Sequence, residues 1–161
     1  MRRLAPFALL AALLLAGCGF QLRGAVDLPP EMARTYISGL EERDALLLEL
    51  ERQLRSAGAE IVQSRAVASA ELRVLGLRDT RRVLTVGGDA SVQEYELATT
   101  VSFDVRGTDN EFRRERVTLT VVRDMTFDET NVLGKGGEEV LLREEMRREL
   151  AWQMVSRLQL R

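Results

Sequence analysis

Residues 94–105 read Glu94-Tyr95-Glu96-Leu97-Ala98-Thr99-Thr100-Val101-Ser102-Phe103-Asp104-Val105, and the fold turns on this stretch. Tyr95, Leu97, Val101, Phe103 and Val105 alternate with Glu94, Glu96, Ser102 and Asp104. Successive side chains of a strand point to opposite faces, so a sustained period of two predicts one long strand with an apolar face and a wet face. Glu94, Glu96, Ser102 and Asp104 are assigned to the wet face. The apolar face needs a cover, which the rest of the chain must supply.

Turns bound the strand on both sides. Gly87-Gly88-Asp89-Ala90-Ser91 precedes it, and a second turn runs from Gly107 to Glu111. Upstream, Leu72 and Val74 hold one parity while Leu75 and Leu77 hold the other, which predicts a bulge near Gly76. Downstream, Val117, Leu119, Val121, Met125 and Phe127 carry the next strand. Short strands are expected at Arg34–Gly39 and Ala59–Gln63. Between them Asp44 is a helix N-cap, Leu47, Leu50 and Leu54 recur at helical spacing, and Gly58 stops a helix over 44–57. A loop over 128–137 leads to a final helix at 138–159. Its stripe is Leu142, Met146, Leu150, Met154 and Leu158, flanked by Ala151 and Val155. The order is β-α-β-β-β-β-α. The economical packing is an α+β fold, an α/β sandwich with two helices on one face of a mixed four- to five-stranded sheet.

Composition narrows the chemistry. The chain has 161 residues, 45% hydrophobic and 30% charged, which suits one globular domain. There is no histidine, so His-based triads, imidazole bases and His-containing zinc sites are excluded. A single cysteine, Cys18, allows no intrachain disulfide. A net charge of −2 argues against nucleic-acid binding. The expectation is a binding or structural protein: no enzyme, no metal and no cofactor.

Residues 1–17 read as an address. Arg2 and Arg3 precede an apolar run from Leu4 to Leu15, shorter than the roughly 20 residues a spanning helix needs. Leu15-Ala16-Gly17-Cys18 looks like a bacterial lipobox, in which cleavage before the cysteine is followed by S-diacylglycerol and N-acyl attachment to Cys18. Inner-membrane lipoproteins typically carry Asp after the cysteine; Gly19 therefore points to the outer membrane. The division follows: a lipoprotein signal peptide at 1–17, a lipidated N-terminus and linker at 18–33, and one periplasmic domain at 34–161.

Catalytic patterns are weak. Gly134-Lys135-Gly136-Gly137 lacks the upstream glycine and the following Ser/Thr of a phosphate loop, and reads as a loop into the last helix. Glu138-Glu139 and Glu144-Glu145 read as solvated helix charges. Trp152 is either a rim residue or an aromatic anchor for a partner. Topology places Arg81 and Arg82, on the strand before the first turn, at the same end of the sheet as Lys135, the only lysine. The three are either separate solvated charges or a phosphate-recognising cluster. Arg113, Arg114 and Arg116 fall at the opposite end.

One resemblance joins these features. Cys18-Gly19-Phe20-Gln21-Leu22-Arg23-Gly24 resembles the start of mature members of the LptE family of LPS-assembly lipoproteins. The likeness continues through Leu28-Pro29-Pro30-Glu31-Met32, Gln53-Leu54-Arg55 with Gly58 and Glu60, and Glu94-Tyr95. It ends with Glu145-Met146, Ala151, Gln153 and Arg157-Leu158. The resemblance implies an α/β sandwich that sits in the lumen of the outer-membrane β-barrel LptD, helps it assemble and binds lipopolysaccharide. Lys135 matches a lipopolysaccharide-contacting position of the family. A second such position precedes the glycine of the first hairpin turn, where this chain has Val86 and Gly87, with Arg81 and Arg82 upstream. Lys135, Arg81 and Arg82 are the resulting lipopolysaccharide-binding candidates. The competing expectation is a free-standing periplasmic lipid carrier tied to no barrel.

Overall fold

The computed structural model describes residues 28–88, 92–109, 111–126 and 132–159, with only the backbone described for 132–136. Cys18 therefore lies outside the described residues, as do the turn residues 89–91 and Phe127. The elements are β1 (Arg34–Ser38), α1 (Ala45–Ser56), β2 (Glu60–Ile61), β3 (Ala70–Val86), β4 (Val92–Gly107), β5 (Arg113–Thr126) and α2 (Val132–Leu158). They form a five-stranded sheet in the order β2-β1-β3-β4-β5. β1 runs parallel to both β2 and β3, while β3, β4 and β5 pair antiparallel as a meander. The sheet is mixed, as expected.

The period of two in β4 survives in three dimensions. Leu97, Val101, Phe103 and Val105 are buried with Thr99 between them, against Leu72 and Val74 of β3 and Leu119, Val121 and Met125 of β5. The register shift between Val74 and Gly76 marks the expected bulge and leaves Leu75 exposed while Leu77 returns to the core side. Asp44 caps α1, its carboxylate accepting from the Leu46 N–H at 2.8 Å. The buried stripe of α1 is Leu46, Leu50 and Leu54; Leu47, expected on it, stands at its margin. Helix α2 contributes Met146, Leu150, Ala151, Met154, Val155 and Leu158, the i, i+4 stripe of the sequence.

Three boundaries differ from expectation. The short strand over 59–63 is only two residues long. Met32 is fully buried in the core after a 3-10 turn at Pro30–Met32, so the packed domain takes in the end of the expected linker. Helix α2 begins at Val132 rather than 138 and absorbs the glycine-rich run expected as a loop. Each interior glycine costs roughly 1 kcal/mol relative to alanine. Propagation from a helix already nucleated and packed, with one new hydrogen bond per residue, outweighs that cost.

Candidate functional site

The bulge after Val74 sets which arginine points where. Beyond it, Leu77 pairs with Val101, Asp79 with Thr99 and Arg81 with Leu97 on the helix side of the sheet. Arg78, Thr80 and Arg82 consequently face the opposite, uncovered side, across from Thr100, Ala98 and Glu96. Arg81 and Arg82, expected in one cluster, thus stand at the same end of the sheet but on opposite faces.

On the helix side, Arg81 reaches Glu139 of α2 at 3.1 Å, and its guanidinium lies 4.8 Å from the centre of the Tyr95 ring. Glu139 also accepts from Arg143 at 2.7 Å. Arg143 stands 3.4 Å from Asp79, and Arg147 donates to Asp79 at 2.7 Å. Asp79 accepts a further 2.6 Å bond from the buried Thr99 hydroxyl, and Arg147 lies 3.5 Å from the α1 cap Asp44. One ion network therefore ties β3, α2 and the start of α1 together. The helix places residue 135 one turn before Glu139, beside this network, although the Lys135 side chain lies outside the described residues. Glu139 and Arg143 carried a sequence signal, a Glu–Arg pair at i, i+4. Asp79 carried none, because its partners come from the other end of the chain.

The uncovered face is polar and ordered by side-chain bonds. Ser102 and Thr118 share a hydrogen bond of 2.8 Å, and Thr100 and Thr120 one of 2.9 Å, so two rungs of hydroxyls cross β4 and β5. At the hairpin end, Arg82 forks onto Glu96 at 2.6 and 2.8 Å, and Thr85 donates to Glu94 at 2.7 Å. At the other end, Arg73 grips both oxygens of Asp104, one bond measuring 2.7 Å. Asp104 was expected to be wet, yet only 6% of it is exposed: the Arg73 fork and the nearby Arg106 cover it. The Arg73 bond holds its carboxyl below the usual aspartate range, against the opposing effect of burial. Arg113 and Arg114, at that same end, line an open cleft with Pro29, Pro30, Glu31, Asp109 and Phe112. Trp152 is 63% exposed on the outer side of α2.

Two helices on one face of a mixed sheet, with the hydroxyl-lined opposite face left open, define an open-faced α+β sandwich. The LptE family, described as lipopolysaccharide-assembly, matches residues 32–158, and the chain belongs to that family. It is 29% identical over 150 residues to the LPS-assembly lipoprotein LptE of Pectobacterium atrosepticum, covering 92% of this chain and 80% of that one. The corresponding protein of Yersinia enterocolitica is also 29% identical, over 92% of this chain and 72% of its own. Among solved structures, the rare lipoprotein B of Shewanella oneidensis superposes with a TM-score of 0.65 at 25% identity, over 76% of this chain and 90% of that one. A lipoprotein B from Nitrosomonas europaea gives 0.64 at 26% identity, over 86% and 88%.

Proposed function

We propose that this chain is an outer-membrane lipoprotein, anchored through acyl groups on Cys18, that plugs the lumen of an LptD-type β-barrel. In this reading it helps the barrel assemble and takes part in lipopolysaccharide transport and insertion, with no catalysis of its own. The observation that carries the reading is the uncovered sheet face. A sheet that buries one side under helices and lines the other with serine and threonine pairs suits a partner with a polar wall. The lumen of a wide barrel is such a wall. Membership of a lipopolysaccharide-assembly family agrees with it. The space between helices and sheet is filled by Met32, Leu50, Phe103, Met146 and Met154, all essentially fully buried, which leaves the acyl cavity of a lipid carrier without its place.

Lipopolysaccharide contact is assigned to Arg81, Arg82 and Lys135. Arg81 and Arg82 each retain guanidinium N–H groups beyond those their carboxylates take, and both side chains are more than half exposed. The phosphates of lipid A suit such donors. The decisive experiment isolates the full-length protein from outer membranes without boiling. A stable complex with a large β-barrel is expected, and recovery of the lipoprotein alone overturns the plug.

A further inference from the structure

The end of the β3–β4 hairpin is apolar on both faces. Val83, Leu84 and Val86 are 48%, 44% and 54% exposed, three aliphatic side chains within four residues of a strand. β4 pairs with β5 only as far as Glu94 with Thr126, whereas β3 and β4 continue to pair at Val86 and Val92. The last rungs are thus a two-stranded ribbon with no third strand among the described residues to bury it. Register irregularities at Thr85 twist this ribbon, so that Val83, Leu84 and Val86 do not share one face. Soluble proteins seldom leave such a cluster without a use.

What lies beneath the tip indicates the occupant. Arg81 and Arg82 precede Val83 directly, and the distance along the strand from Arg82 to Val86 is on the order of 13 Å. In a lipid layer the headgroup region extends about 5–8 Å beyond the hydrocarbon boundary. Guanidiniums set at phosphate depth would therefore place Val83, Leu84 and Val86 past that boundary, among acyl chains. The order along the hairpin, cation and then hydrocarbon, mirrors a phosphorylated and acylated lipid. We propose that the tip formed by Val83, Leu84 and Val86 is the acyl-chain contact of the hairpin, and that lipid A is taken at this end by its phosphates and its chains together. The proposal rests on the assignment of Arg81 and Arg82 to lipopolysaccharide binding. It adds that the affinity of this end is for the acylated molecule and not for phosphate alone.

The test uses the chain from Gly19 onward; the hydrophobic core, as described, runs from Leu28 to Leu158, so this form retains the fold. A Val83→Thr/Leu84→Thr/Val86→Thr variant keeps β-branched residues on an exposed ribbon, and its melting temperature should match the wild type. Titration calorimetry then compares lipopolysaccharide, its fully deacylated phosphorylated oligosaccharide, and phosphatidylglycerol vesicles. The wild type should bind lipopolysaccharide at least about tenfold more tightly than the variant, with both equal on the oligosaccharide. Equal binding of lipopolysaccharide by the two proteins overturns the acyl contact and leaves the arginine assignment standing. No binding of either saccharide form by the wild type overturns the arginine assignment, and the acyl contact with it. An equal loss on phosphatidylglycerol vesicles shows a general membrane anchor and overturns the commitment to lipid A. A variant that binds lipopolysaccharide normally but no longer co-isolates with a barrel assigns the tip to the barrel wall, and overturns the proposal.

Discussion

Gly39 leaves β1 at φ +88, and a Cβ built there would stand 2.0 Å from the Val74 carbonyl oxygen, at the very bulge that redirects β3. Gly58 has a similar φ, +91, with open space around it. Both Ala variants pay for left-handed backbone, about 1–2 kcal/mol, but only Gly39→Ala must also move a strand. Urea unfolding should show Gly39→Ala losing more stability than Gly58→Ala by at least 1 kcal/mol or so; equal losses would mean that the Val74 carbonyl yields freely. Asp104 allows a second test. Its folded pKa is depressed, so the stability it contributes is present above the unfolded value, near 4, and is lost as pH falls through the folded one. Asp104→Asn should therefore be less stable than the wild type at pH 7, with the gap shrinking at pH 3. A gap of constant size would remove Arg73 as the cause. The Arg73–Asp104 pairing was not legible in the sequence, where alternation alone assigns Asp104 to water. The residue opposite an aspartate on the neighbouring strand depends on register, and register on a bulge.

At the scale of elements, α2 shows propensity overridden by context. Gly134, Gly136 and Gly137 read as a loop, yet the helix begins at Val132 and carries Glu139 to Arg81. Gly137 is exposed, and a Cβ there meets nothing within 4 Å. Gly137→Ala should raise stability by up to about 1 kcal/mol and extend helical hydrogen-exchange protection toward the helix start. A destabilised variant would show that the helix does not begin at Val132. The hairpin elements, by contrast, were legible nearly to the residue. β3 ends at Val86 and β4 starts at Val92, as the Gly87–Ser91 turn requires, because alternation and turn chemistry are local signals. The ion network across β3 and α2 was not legible: it joins Asp79 to Arg147 over 68 positions.

For the whole molecule the question is which surface meets what. If the uncovered face of β3, β4 and β5 lies against a barrel wall, amides over residues 92–104 and the Thr118–Thr120 rungs should gain hydrogen-exchange protection in the complex. The outer face of α1 should gain less. Unchanged exchange on the strands would move the interface to another surface, such as the one carrying Trp152. Anchoring is separable from docking. Cys18→Ala should block processing and lipidation, and the protein should leave the outer-membrane fraction except for what a barrel retains through the folded interface. Fractionation and mass measurement on the variant check this; an unchanged mass and location would end the lipobox reading. Two or more acyl chains suffice for stable anchoring, so the difference should be large.

The sequence by itself determined the class of the protein. An unbroken period of two in residues 94–105, two i, i+4 stripes and two glycine turns allow little besides a helix-covered sheet, and missing histidine removes whole classes of chemistry. These features are local, and local sterics and hydrophobic burial act on neighbours a few positions apart. Only the tertiary structure decided the fate of the charges. It set Arg81 and Arg82 on opposite faces, closed Asp104 under Arg73, and bound Glu139, Arg143, Asp79 and Arg147 into one network. Ion pairs need side-chain ends within about 4 Å, and strand pairing and helix docking bring together ends that are remote in sequence. The uncovered face follows the same logic: the sequence marks residues as polar, but which polar face stays open depends on where both helices pack.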